Sequence, residues 1–469
     1  MLFSSMTFVF VFLPILCAIY LLSKKEYHNA ILLIASIIFY AWGEPRYLAI
    51  MLLSVVINWL GAILIDKYKD KKGLSKLFLA LTIFLNLANL IYFKYFNFIL
   101  DNFNSIFHSN IDFVRIALPI GISFYTFQAL SYVIDVFRGD CKVQRNIYKL
   151  ALYICLFPQL IAGPIVKYHD IEEQIDSREV NFEKVDEGVK RFIIGLSKKV
   201  LIANTLGAIA DKVFIMQYPF QFSPIVAWLG AISYSFQLFF DFSGYSDMAI
   251  GLGLIFGFRF MENFNYPYIS KSITEFWRRW HISLSTWFKQ YVYIPLGGNR
   301  NGKLKQLRNL GIVFLLTGIW HGAAWNFVIW GAWHGFFIIM EKITGIDKET
   351  NNKPVNFIKH IYCILAFVIG WVIFRADSVQ YAYFYILNMF GKLPVNSDNI
   401  CYSLAFYVDR YEIIIFVAAI LCSIPIFNKF EPKNNAAKII YNIWLLLLFI
   451  LSSSTIAAST YNPFIYFRF

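Results

Sequence analysis

A chain of 469 residues with 58% hydrophobic and 15% charged side chains and a mean hydropathy of +0.57 carries too little charge for a soluble domain, where about 25% is usual. Its formal net charge of +13 does not indicate nucleic-acid binding, because no basic soluble segment exists to carry it; cytoplasmic loops obeying the positive-inside rule account for it. The six scattered cysteines, none paired at metal-ligand spacing, argue against a disulfide framework and against a zinc site.

In chain order, apolar runs fall near 6–23, 29–42, 47–65, 77–98, 114–136 and 149–167, and again near 190–215, 224–257, 309–340, 358–375, 411–427 and 438–458. Counting the shorter runs as tilted or partial spans across roughly 30 Å of hydrocarbon, they predict an all-α integral membrane protein, a bundle of about ten to twelve transmembrane helices. The first run lacks a cationic region before it and a small-residue cleavage site after it, so it reads as a retained helix. One membrane domain over 1–469 is expected, with amino-terminal helices in 1–168, a core in 169–345 and carboxyl-terminal helices with an aromatic tail in 346–469. Lys24 and Lys25, the run 67–76, and Arg138, Lys142 and Arg145 follow alternate spans, which puts the amino terminus outside and these loops in the cytoplasm. The acidic stretch 169–190 reads as a surface amphipathic helix.

Gly and Pro recur inside apolar runs at 118–121, 157–164 and 241–247. Proline kinks explain any one of these, but the cluster predicts broken, re-entrant segments, which survive at membrane depth only where protein or a cavity surrounds them. A central tunnel would supply such a cavity. Over 263–305 aromatic and cationic residues interleave without a clean apolar span. Arg278, Arg279, Trp280 and Lys289 there suit the docking of a phosphate-bearing donor, although the basic residues after Arg300 fit an ordinary interfacial loop equally well. Two histidines, His321 and His334, then lie in an apolar run, where an ionisable group is costly and marks function by default. Neutral imidazole can act there as a general base, and His281 precedes them in the aromatic-cationic stretch.

FWRRWHISLSTWF (276–288) followed by GIWHG (318–322) resembles the signature of the membrane-bound O-acyltransferase (MBOAT) superfamily. The match to its alginate O-acetyltransferase (AlgI-like) branch runs along the chain in order: FYAWGEPRYL (39–48), LPIGISFYTFQALSYVIDVFRG (118–139), LFPQLIAGPIV (156–166), GLSKKVLIAN (195–204), FDFSGYSDMAIG (240–251), YIPLGGNR (293–300) and GIWHGAAW (318–325). The resemblance implies a tunnelled bundle in a bacterial inner membrane, with His321 as general base or transient acyl acceptor and His281 orienting the acyl carbonyl or stabilising the oxyanion. His334 has no counterpart, and Lys289-Gln290 stands where relatives often show Arg-Asp. Acetyl-CoA is the implied donor, with no metal. A polysaccharide such as alginate, cellulose or peptidoglycan is the implied acceptor, reached through an extracytoplasmic SGNH-type partner with a Ser-His-Asp site. D-alanyl transfer to teichoic acid and polysaccharide or lipid transport are the rival functions. The ending FIYFRF (464–469) is similar to the terminal motif of the companion peptide of teichoic D-alanylation, which implies that Tyr466 carries the acyl group outward; on composition alone the tail is an aromatic interfacial anchor.

Overall fold

The computed structural model describes residues 1–114, 116–216, 222–393, 403–426, 434–459 and 461–464, and among these the chain forms helices and no strands. It divides into two compact units, Met1–Ile193 with Tyr245–Glu262, and Ile194–Gly244 with Asn263–Phe469. In order, the amino-terminal helices are α1 (Leu13–Leu22), α2 (His28–Gly43), α3 (Leu48–Lys67), α4 (Lys72–Leu90), α5 (Phe96–Phe107), α6 (Ile122–Arg138), α7 (Ile147–Cys155), α8 (Phe157–Leu160) and α9 (Tyr168–Ser177). There follow α10 (Phe182–Ser197), α11 (Asn204–Phe214), α12 (Pro224–Ile255), α13 (Ile273–Arg279), α14 (Ile282–Phe288), α15 (Lys303–His321) and α16 (Trp325–Thr344). The series closes with α17 (Lys353–Arg375), α18 (Val379–Met389), α19 (Leu404–Tyr407), α20 (Arg410–Cys422) and α21 (Asn435–Ala458). Six continuous helical stretches among the described residues are long and apolar enough to cross a membrane, and the protein is a multi-pass membrane protein.

Local polar groups set where helices begin. Asn146, Ser272, Asn352, Ser378 and Asn434 each accept a hydrogen bond from a first-turn backbone N–H, and Asp409 with Glu412 forms a reciprocal capping box, satisfying donors that no intrahelical carbonyl can reach. In the first unit, α3 and α4 approach at Gly61, where an added Cβ would lie 2.3 Å from Thr82 Oγ1. Asn58 and Asn86 exchange amide hydrogen bonds of 3.0 Å beside it, polar pairing of the kind that joins helices inside a bilayer.

The expected breaks separate into two kinds. At 118–121 the chain does turn, with Gly121 at φ +77° starting α6, and at 157–164 a single helical turn gives way to irregular backbone that is buried throughout, as membrane depth requires. The stretch 241–247, by contrast, stays helical inside α12. Its glycine serves close packing: an added Cβ on Gly244 would lie 2.7 Å from the Gly195 carbonyl oxygen in the second unit. A Cβ on Gly251 would likewise meet the Gly188 carbonyl oxygen at 2.5 Å in the first.

The acidic 169–190 stretch forms two helices, α9 and the start of α10. Between them Arg178 donates to Tyr20 Oη and the Phe256 carbonyl at 3.1 Å each and to Asn29 Oδ1 at 2.6 Å, with its guanidinium 4.5 Å from the centre of the Phe258 ring. An extended Arg178 at the end of α9 brings these partners within reach of one side chain.

Candidate functional site

The stretch 263–305, which lacks a clean apolar span, folds in the second unit as a 3-10 turn, two seven-residue helices (α13 and α14), a π-helical turn over 289–293 and irregular turns before α15 begins at Lys303. His281 sits between α13 and α14 in the left-handed region, φ +43° and ψ +56°, uncommon for a residue with a side chain. Asn263 accounts for that bend. Its carbonyl accepts from Ile282 N at 2.9 Å, and its side-chain Oδ1 accepts from Ser283 N at 3.2 Å and Ser283 Oγ at 2.8 Å. The same Oδ1 lies 3.1 Å from His281 Nδ1. Because a backbone N–H fixes that atom as an acceptor, His281 Nδ1 carries the proton, and a neutral ring presents its lone pair at Nε2.

His321 ends α15, where Gly322 turns the chain into extended backbone before α16. Helices α15 and α16 pack against each other as a hairpin, and their backbones meet at two glycines. An added Cβ on Gly318 would lie 2.4 Å from the Phe327 carbonyl oxygen, and one on Gly331 2.4 Å from that of Phe314. With the helices so close, the His321 ring, 7% exposed, stands edge to face with Trp330 at 4.9 Å and Phe374 at 5.2 Å. Trp320 lies 4.8 Å from the His321 ring and 6.1 Å from the His281 ring. Trp330 continues the series to His334 at 5.0 Å.

One aromatic cluster thus gathers all three histidines. Among the described residues His334, fully buried, has no hydrogen-bond partner for either ring nitrogen, and it is enclosed by Phe276, Trp277, Trp330 and Trp371.

The cationic residues divide. Arg279 donates to Glu275 Oε1 at 2.9 Å and to the Asn265 carbonyl at 3.1 Å, so it braces the stretch on which it lies. Trp280 is buried, 4.9 Å from Trp371 and 5.5 Å from Phe276. Arg278 and Lys289 are exposed. Tyr466 lies outside the described residues.

Two features were not anticipated. Glu341, wholly buried on α16, accepts from Ile273 N at 2.6 Å, Thr274 N at 2.8 Å, Thr274 Oγ1 at 2.6 Å and Tyr362 Oη at 3.1 Å. A carboxylate there satisfies the first donors of α13 and complements its dipole, fixing the helix that leads to His281. The available signal was a lone acidic residue closing an apolar helix. The second is the seat of residues 461–464. Lys199 and Asp241, 3% and 2% exposed, pair at 2.7 Å, and the Lys199 ammonium also donates to the Pro463 carbonyl. Tyr461 Oη donates to Asp211 Oδ2 at 2.7 Å, and Arg375 binds the other oxygen of Asp211 at 2.7 Å. Phe464 is buried at the end of this segment.

The sequence model of the membrane-bound O-acyltransferase family matches residues 140–386. The chain is similar to a probable alginate O-acetylase AlgI of Pseudomonas putida, 42% identical over the whole of both chains. It is similar to a peptidoglycan O-acetyltransferase of Helicobacter pylori, 33% identical over 100% of this chain and 98% of the relative. A teichoic acid D-alanyltransferase of Bacillus subtilis is 34% identical over 46% of this chain and 56% of its own.

Proposed function

Because the chain belongs to the membrane-bound O-acyltransferase family and is an O-acyltransferase of the membrane, we propose that it moves acetyl groups from acetyl-CoA across a bacterial inner membrane for O-acetylation of a polysaccharide outside. Full-length similarity to the O-acetylases, against half-length similarity to the D-alanyltransferase, favours acetyl over D-alanyl transfer. The observation that carries the reading is the meeting of His281 and His321 in one buried aromatic cluster. Packed rings exclude the water that would hydrolyse a thioester.

In the proposed reaction, the exposed Arg278 and Lys289 take the donor's phosphates, and Arg279 and Trp280 keep their stretch in shape. His321 accepts the proton of the attacking hydroxyl, the new C–O bond forms as the acetyl C–S bond breaks, and the proton leaves with the CoA thiol. The phenol of Tyr466 is the proposed attacking group. The resulting phenyl ester is activated enough to pass its acetyl to the serine of a separate SGNH-type partner. The docking of 461–464 on Lys199 and Asp211 supports a tail held in place for that purpose. His281 needs a modified role. With Nδ1 committed to Asn263, a neutral ring has no N–H left for an oxyanion, so His281 acts as a hydrogen-bond acceptor, its Nε2 lone pair orienting the O–H of the attacking group, while the one proton transferred passes through His321.

Purified protein supplied with labelled acetyl-CoA tests this. His321→Ala is expected to abolish label transfer while the protein remains folded, and Tyr466→Phe to block passage to the polymer. Substitution His281→Gln removes the imidazole lone pair held in place by Asn263, so it is expected to lose most transfer; near-normal transfer in His321→Ala would overturn the assignment.

A further inference from the structure

Within the first unit, the loop joining α3 to α4 and the loop after α6 border a half-open cavity of about 700 Å³. Six cationic side chains line it: Lys69, Lys72, Lys76, Arg138, Lys142 and Arg145. Among the described residues the one carboxylate on its wall is that of Asp66, which lies 3.8 Å from Lys69 and 3.7 Å from Arg145, long for either pair. Lys72, Lys76 and Lys142 form no ion pair among the described residues. The positive-inside rule explains why such residues occur on these loops. It does not require them to converge on one concavity, where six like charges together raise the local potential that attracts an anion.

The flanking helices identify that anion. Leu53 and Leu60 on α3 and Leu77 and Leu81 on α4 are exposed apolar side chains on membrane-crossing segments, so this surface faces acyl chains. Lys76 directly precedes Leu77 in α4, and Lys72 begins that helix. Lysines therefore stand at the level where hydrocarbon gives way to headgroups. A soluble anion would need only the charge; a phospholipid uses the charge and the apolar flank together.

We propose that this cavity is a binding site for the headgroup of an anionic phospholipid, its phosphodiester held by Lys72, Lys76 and Lys142 and its acyl chains lying along α3 and α4. The site is separate from the transfer chemistry and does not depend on it. A basic side chain near a membrane surface is worth about fivefold in affinity, so removing three is expected to weaken binding on the order of a hundredfold.

The test compares full-length wild type, a Lys72→Gln/Lys76→Gln/Lys142→Gln variant and the charge-preserving triple arginine variant. Each is delipidated and reconstituted with phosphatidylglycerol or phosphatidylcholine. Bound lipid is read by native mass spectrometry and melting temperature by a thermal-shift assay, with inorganic phosphate in detergent as a separate arm. Wild type and the arginine variant are expected to retain phosphatidylglycerol over phosphatidylcholine and to melt higher with it, and the glutamine variant to lose both effects while transferring acetyl normally in neutral lipid. Equal phosphatidylglycerol retention by the glutamine variant would overturn the site. An equal melting shift with inorganic phosphate would overturn the lipid assignment.

Discussion

Helices α12 and α21 are both apolar enough to cross a bilayer, yet 72% of the apolar window of α12 is buried in protein against 11% of that of α21. The more hydropathic of the two is the outer one. α21 shows Ile440, Ile443 and Leu446 to the surroundings, while α12 buries Ser233, Gln237, Asp241 and Ser243. Hydropathy therefore reports that a segment can live in a membrane and not where in the bundle it lies. Inside a bilayer the polar side chain within an apolar helix marks the interior, because lipid offers it no partner.

The buried pair of Lys199 with Asp241 on α12 gives the sharpest way to break this comparison. Removing one member of a buried ion pair strands the other charge and costs about 3–5 kcal/mol, whereas replacing both by apolar or neutral groups can be nearly harmless. Lys199→Met is thus expected to lower the thermal midpoint of the detergent-solubilised protein strongly. Adding Asp241→Asn should recover much of that loss. A single variant as stable as wild type would mean that the charges are solvated and that α12 is less interior than its burial indicates.

A smaller effect is expected at the α15–α16 crossing. Gly318→Val must push its new atoms into the Phe327 carbonyl, 2.4 Å from the Cβ position, whereas Gly311, facing Ile339 Cδ1 at 3.7 Å on the same helix, can accept Ala. Overpacking of this kind costs about 1–3 kcal/mol, and here it also displaces His321, three residues on. Loss of acetyl transfer in Gly318→Val, with Gly311→Ala unaffected, is the expected result; equal activity would show that the hairpin can spread without moving the histidine.

Much of this was legible from residue order alone. Run length revealed the all-helical membrane fold, and WRRWH with GIWHG pointed to the two histidines that the aromatic cluster gathers. What stayed hidden was pairing at a distance. Nothing local says that Lys199 meets Asp241, that Glu341 caps a helix beginning at Ile273, or that Tyr461 reaches Asp211. Gly244 misled for a related reason. Glycine breaks a helix by its backbone freedom and permits close helix packing by its missing side chain, and only the presence of Gly195 opposite decides between them.

The smallest expected effect comes from two neighbouring leucines on α21. Leu445 is 4% exposed and Leu446 is 56% exposed, though sequence alone gives no reason to treat them differently. In water, truncating an exposed leucine changes little because the side chain was never buried. In a bilayer the argument is stronger: a lipid-facing leucine lies among hydrocarbon whether or not the helices are packed, so its truncation leaves the free energy of assembly almost untouched. Leu446→Ala should accordingly keep the thermal midpoint within the equivalent of about 0.5 kcal/mol. Leu445→Ala removes packing against protein that lipid cannot restore in the same shape, and should cost about 2 kcal/mol or more. Similar midpoints for the two variants would show that α21 sits against its neighbours too loosely for its inner face to differ from its outer one.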